Sequence, residues 1–441
     1  MKWVIGALVL LVAGLVLRLE LLVYAMYVLL GVLLISRLLA RTWIDNLSAK
    51  REKMEARLEV GSSLNVEIAL VNGSPLAVPW ALVEDSLPAD ALTSRPARIE
   101  VTGSRLQLLR ISARSEKTIS YEVTFHRRGY YQIGPLLVES GDLFGLHRRY
   151  RVLTLPHYVT VLPHVVPLEG YDVASRRPMG EIKLTHRLFE DTARMSGVRQ
   201  YVEGDPLNRI HWRASARTGV LQCKTYEPSC IAGATLLLDF HRENYNVPGS
   251  DYRAELAVTT VVSIANTLYE LGEQFAFATN ARDGAERVAN EGWRFEFTTR
   301  DDAQRVALPG KQTDRLRPLV LEANTGDEHF NHLRETLARV ELNDGLSLPQ
   351  LVDEVESRLA RDTTVIVILP QVTEAAAFAL GALRRSGFKV LAVLIVFSAD
   401  AYHDWASPPT WASRLLAEGV EFRWIADEAG LSSLCASEVW R

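Results

Sequence analysis

The chain has 441 residues with 49 Lys+Arg against 53 Asp+Glu, a net charge of -4. That balance excludes a general polyanion binder and requires any basic surface to be local. Three cysteines, Cys223, Cys230 and Cys435, without C-x-x-C or Cys/His spacing exclude a disulfide framework and a zinc site, leaving reduced, buried thiols. A chain this long exceeds one core and implies two soluble domains plus any membrane segment.

Residues 3–17 and 21–36 carry no charge, and only Arg18, Leu19 and Glu20 separate them. The pattern predicts a transmembrane helical hairpin over 1–40 and a juxtamembrane linker over 41–55. Each run reaches about 22–24 Å as a helix, short of a hydrocarbon core of roughly 30 Å, so flanking side chains must snorkel or the bilayer must thin. Lys2 precedes the first run, while Arg37, Arg41, Lys50, Arg51 and Lys53 follow the second. Cytoplasmic flanks keep the excess of Lys and Arg, so both termini and the soluble body are expected inside a bacterial cytoplasmic (inner) membrane, crossed more than once.

From 56 to 163 apolar residues alternate, as in Leu64, Val66, Ile68, Leu70 and again in Ile119, Tyr121, Val123, Phe125. Period two is the mark of half-buried strands. Turns at 72–75, 102–104, 128–129 and 140–141 punctuate them, which predicts an immunoglobulin-like β-sandwich of about seven strands. Asp142-Leu143-Phe144-Gly145 is off by one residue from the kinase metal-binding tripeptide and reads as a turn.

A connecting segment, 164–229, leads into strands alternating with helices over 230–441. Ala234–Phe240 is a continuous apolar run, as for a strand buried on both faces, and a helix-length segment succeeds it at 252–271. Strands at 275–279, 364–369, 390–397 and 420–424 alternate with helices at 347–360, 373–386, 411–418 and the C-terminus. Such alternation predicts a Rossmann-like parallel sheet covered on both sides, with 281–346 as an insertion at one edge.

The densest motif lies at 197–227. Asp205 suits an N-cap, Pro206 the first helical position and Gly219 a left-handed stop, predicting a helix from 206 to about 217. On it Arg209, Arg213 and Arg217 recur every four residues and form one cationic stripe, with Arg199 and Lys224 nearby. Guanidinium forks pair with carboxylates, so the stripe reads either as a docking surface for an acidic partner segment or as an interdomain clamp on Glu203, Asp205 and Glu227. His211 has the chemistry of an acid-base residue, but no triad is visible, and Ser215 within a helix lacks the elbow and oxyanion donors that acyl transfer needs. The 308–313 stretch lacks the first glycine and the hydroxyl residue of a P-loop.

These residues, Arg199, Tyr201, Gly204, Asp205, Arg209, Ile210, His211, Trp212, Ala214, Ser215, Ala216, Arg217, Gly219, Leu221, Lys224, Tyr226 and Glu227, resemble the signature of the bacterial family called domain of unknown function 58. Arg127, Arg128, Gly129 and Tyr131 match its Arg-Arg-Gly-x-Tyr element. The resemblance implies a membrane hairpin, a β-rich domain and a C-terminal domain similar to von Willebrand factor A, with MoxR-type AAA+ ATPases as partners. Metal-binding A domains carry Asp-x-Ser-x-Ser; the matching stretch here keeps Asp239 but has His241 and Glu243 where the serines would be. Hard cations need several oxygen ligands, so a degenerate site without metal is expected. The resulting expectation is a membrane-anchored, non-catalytic scaffold or adaptor for a protein partner, with no cofactor, nucleic acid or small-molecule substrate. The alternative is an envelope-associated hydrolase or transferase using Asp205 and His211.

Overall fold

The computed structural model describes residues 2–52, 57–142, 147–168, 190–201, 210–228, 233–246, 249–291, 316–359, 363–396, 410–432 and 434. They fall into two compact units, the first holding everything described up to Leu162 and the second most of the described chain from Pro163 onward.

The two apolar runs fold as helices α1 (Lys2–Val16) and α2 (Glu20–Asp45), joined at Arg18 in a left-handed turn. Gly14 lets them approach, since a Cβ there would sit 3.2 Å from Leu22 and Val23. Helix α2 is long and apolar enough to cross a membrane; α1 is apolar but shorter. The stretch 41–55, expected as a linker, instead carries the end of α2 and strand β1 (Leu47–Arg51). Ser36, Ala40, Trp43 and Ile44 share one buried helix face, a 3-4 spacing that its basic neighbours Arg37 and Arg41 obscure in the sequence.

Ten further strands make up the rest of the first unit: β2 (Arg57–Glu59), β3 (Ser63–Asn72), β4 (Val78–Asp85), then, after the short helix α3 (Ala89–Thr93), β5 (Ile99–Gly103), β6 (Leu106–Ile111), β7 (Glu116–Phe125), β8 (Gly129–Ile133), β9 (Leu136–Gly141), β10 (Arg148–Thr154) and β11 (His157–Leu162). Two four-stranded sheets, β1-β3-β7-β5 and β10-β9-β4-β6, and a three-stranded sheet, β2-β11-β8, replace the seven strands expected. The period-two pattern holds in β3 and β7, whose Val66 faces Tyr121 and Ile68 faces Ile119 across the antiparallel ladder. These inward residues form one core with Val83, Phe125, Ile133 and Val159, and Trp43 of α2 belongs to it.

The Arg-Arg-Gly-x-Tyr element serves this core. The Tyr131 hydroxyl donates to the carbonyl of Arg127 at 2.9 Å, folding the ring back over Gly129, where a Cβ would lie 2.8 Å from it. Glycine stands there because no side chain fits beneath the ring.

The first strands of the second unit are the antiparallel pair β12 (Glu190–Gln200) and β13 (Gln222–Pro228), which bracket helix α4 (Trp212–Thr218). Strand β14 (Ala234–Leu238), helix α5 (Ser250–Glu270) and strand β15 (Phe275–Thr279) come next. The expected insertion at 281–346 holds the two-residue ladder β16 (Arg282–Asp283) with β18 (Val340–Glu341), helix α6 (Gly284–Glu291), strand β17 (Leu319–Asn324) and helix α7 (Asp327–Arg339). Strand β17 therefore corrects that expectation, because it joins the main sheet antiparallel to β15 at its edge. Its outer half is exposed, so it lacks the apolar run that marks its neighbours.

The remaining elements are α8 (Leu348–Glu356), β19 (Thr364–Leu369), α9 (Glu374–Arg385), β20 (Lys389–Ile395), α10 (Thr410–Ala417), β21 (Glu421–Ile425) and α11 (Glu428–Ser432). Ser347 and Gln350 form a capping box at α8, and the Thr373 hydroxyl accepts from Ala376 N at α9. The sheet order is β17-β15-β14-β19-β20-β21, parallel except at β17. Strands β14 and β19 are buried along their whole length, as helix cover on both faces requires. The sheet's direction of growth reverses between β14 and β19, placing the end of β14 at the topological switch point where ligands bind in open α/β sheets.

Candidate functional site

Helix α4 starts later than the sequence predicts. Ile210 is buried and pairs in extended conformation with Cys223, and His211, not Asp205, is the N-cap. Its Nδ1 accepts from Ala214 N at 3.0 Å, satisfying one of the amides that a helix start leaves open. Gly219 closes the helix in left-handed conformation at φ 73°, as its position predicts.

The Ser215 hydroxyl donates to His211 O and accepts from Gln222 N at 2.8 Å, tying helix to strand. His211 N donates to Gln222 O and Tyr201 N to Leu221 O, so the β12–α4–β13 excursion is stitched by its own backbone. His211 is thus held as an N-cap and Ser215 as a tie. A hydroxyl that accepts an amide proton and donates to a carbonyl is not an activated nucleophile.

Other residues of the motif are exposed. Trp212 is 68% exposed, and Arg213, Arg217, Val220 and Leu221 are at least partly exposed with it, as are Val198 and Arg199 on β12. Arg213 and Arg217 make no hydrogen bond or ion pair among the described residues, whereas Arg199 reaches the carbonyl of Gln200. Lys224 is half-buried opposite Val198, and Tyr226 and Glu227 continue β13. Gly204, Asp205 and Arg209 lie outside the described residues. Of the expected stripe, Arg213 and Arg217 lie on α4 beside Trp212. Trp212, part of the sequence motif, is exposed beside the two arginines, which its place in the sequence alone does not show.

At the switch point, Asp239 is fully buried at the end of β14. Its carboxylate accepts from Asn280 Nδ2 at 3.0 Å, Asn244 Nδ2 at 2.6 Å and His241 N at 3.2 Å. Burial pushes its pKa above the usual carboxylate range, and the amide donors pull against that rise. Both oxygens face amide hydrogens that a cation would have to displace. No group of three His, Cys, Asp or Glu converges to hold a metal among the described residues, so the donor set does not fit a hard cation. Asn280 also accepts from Phe240 N and donates to Leu346 O, joining the ends of β14 and β15 to the loop before α8. Asn244 and Asn280 are invisible as partners in the sequence, since nothing in their spacing distinguishes them from turn asparagines.

Comparison with known proteins agrees on the motif. Residues 197–292, covering the β12–α4–β13 end, β14, Asp239, α5 and β15, match the family described as Protein of unknown function DUF58. The protein YeaD of Bacillus subtilis (strain 168) is 25% identical over 219 residues, 49% of this chain and 53% of that protein. The chain thus spans about half the length of this curated relative. Among solved structures, a CARDB domain from Pyrococcus furiosus aligns with 26% of this chain and 94% of its own at 16% identity and a TM-score of 0.16. A PapD-like domain of human CEP192 aligns with 26% and 83% at 15% identity and a TM-score of 0.18.

Proposed function

We propose that this protein is a membrane-anchored, non-catalytic scaffold or adaptor. The α1–α2 hairpin sits in the cytoplasmic membrane with both termini inside, and the second unit, an A-like domain, presents the motif to a protein partner. The sheet order, with one antiparallel edge strand and Asp239 at the switch point, supports the von Willebrand A reading. The partner class that the family resemblance implies is a MoxR-type AAA+ ATPase, acting with this chain in assembly or maturation of envelope or other complexes.

The observation that carries the reading is the division of labour within the motif. His211 and Ser215 are consumed in holding the turn, while Trp212, Arg213 and Arg217 are offered to solvent. A tryptophan beside two guanidinium groups is the composition of a binding hot spot rather than of a solvated face, and its charge suits an acidic segment. Affinity purification from membranes tests it. Trp212→Ala with Arg213→Glu and Arg217→Glu is expected to cut recovery of the partner about tenfold or more, the loss of a hot spot. His211→Asn, which retains a capping acceptor, leaves recovery unchanged. Full recovery with the triple variant refutes the docking role.

A further inference from the structure

The first unit has no spacer between its membrane helix and its sandwich. Helix α2 ends at Asp45 and β1 begins at Leu47. The joint is clamped: Arg151 Nη1 on β10 donates to the carbonyls of Ile44, Asp45 and Leu47, closing the helix C-terminus. Trp43 and Leu39 are built into the sandwich core, and α2 lies against β9 and β10.

Helix geometry then fixes the height of the sandwich. From Glu20 to Ser36 the helix rises about 25 Å, less than the roughly 30 Å of a hydrocarbon core. A core that does not thin around the helix extends to about Leu38 or Leu39, where the other face of α2 is already packed on protein, with Arg37 snorkelling to its surface. Leu34, Ile35 and Leu38, opposite Ser36, Ala40 and Trp43, are exposed, as lipid-facing residues are. At one level along the helix, one side meets lipid and the other meets the sandwich.

The arriving end of the sandwich can be identified. Strand β1 runs from Leu47, bound by Arg151, to Arg51, which abuts Asp85 and Gly134 just before β9. Continued straight back from β1, helix α2 points toward the opposite end of β9, at Gly141, whose partner on β10 is Arg148. At that end β10 opens with the exposed Arg148 and half-buried Arg149, and α2 carries Arg37 and Arg41; Arg41 holds Asp45, Arg148 is 3.6 Å from Glu139, and Asp142, which accepts from His147 N, is buried. Arg37 and Arg149 make no hydrogen bond or ion pair among the described residues.

We infer that the β9–β10 end of the sandwich is seated in the headgroup layer of the membrane that α2 crosses, with Arg37, Arg41, Arg148 and Arg149 on lipid phosphates. The inference rests on the membrane-anchor reading and adds the surface and its ligand, an anionic bilayer. Basic residues held at the membrane surface are attracted by its negative potential, and a rigid helical joint holds these there.

The test uses the full chain in bilayer nanodiscs containing phosphatidylglycerol, with a photo-activatable benzoylphenylalanine at Leu38, Arg148 or Glu67 in separate variants and mass spectrometry of the adducts. Lipid adducts are expected at 38 and 148 and not at 67, on an exposed face of β3. Replacing phosphatidylglycerol by phosphatidylcholine is expected to lower the yield at 148 several-fold and leave 38 unchanged. Adducts at 38 without adducts at 148 overturn the seating while the anchor stands. Absence at both overturns the anchor itself. Equal yield at 148 in the two lipids overturns the phosphate contact.

Discussion

Breaking the ion pair between Arg51 and Asp85 should loosen the sandwich more than any surface change. The guanidinium forks onto the carboxylate at 2.9 and 2.5 Å, with side chains 7% and 1% exposed, and the Tyr121 hydroxyl donates to the same carboxylate. Burial and the adjacent Asp85 carboxylate push the Tyr121 pKa far up, so Tyr121 stays a donor across the accessible pH range. One side chain each from β1, β4 and β7 thus ties both four-stranded sheets together. Removing one member of a buried pair strands the other charge and costs about 3–5 kcal/mol. Asp85→Asn should therefore speed amide exchange in β3 and β7 by roughly a hundredfold or more, at about 1.4 kcal/mol per factor of ten. Hydrogen exchange with mass spectrometry on peptides covering 63–72 and 116–125 reads this directly. Arg51→Met with Asp85→Leu removes both charges and should recover most of the loss, as apolar replacement of buried pairs does elsewhere. Unchanged exchange in Asp85→Asn, or a double variant as loose as the single, would refute the clamp.

Two further changes test other parts of the structure. Gly129→Ala places a methyl against the Tyr131 ring and should destabilise the first unit by about 1–3 kcal/mol, whereas Tyr131→Phe, losing the hydroxyl shared between the Arg127 and Arg128 carbonyls, should cost about 1 kcal/mol in chemical unfolding. Asp239 has its folded pKa raised, so its contribution to stability is fully present below the ordinary aspartate value and is lost as pH rises through the folded value. Asp239→Asn should flatten that part of the pH dependence, at a pH-independent cost of about 1–3 kcal/mol from setting its amide NH2 against one of the donors that the carboxylate now satisfies; a variant whose stability still falls over the same window would contradict the assignment.

Strands buried on both faces are legible because each is an unbroken apolar run, as in Ala234–Leu238 and Thr364–Leu369, and β3 and β7 because their alternation is strict. The extension of α2 is not, since Arg37 and Arg41 on its outer side imitate a basic linker while Ala40, Trp43 and Ile44 pack inside. Edge strand β17 lacks a buried stripe, so no periodicity marks it. In the motif, residue types announce chemistry that the geometry spends on capping. Imidazole and hydroxyl are as good at closing a turn as at moving protons, and only the acceptor geometry of His211 and Ser215 separates the two uses. Arg51 and Asp85, 34 positions apart, have no local signal at all.

Whether the outward face of α4 meets a protein decides the scaffold reading. A photo-activatable residue in place of Trp212 in the full chain, irradiated in native membranes and identified through its adducts by mass spectrometry, answers that question. One protein is expected to dominate the adducts and to be lost when Arg213 and Arg217 are changed to Glu. Adducts confined to lipid or to this chain itself, or a protein adduct indifferent to both arginines, would contradict the reading.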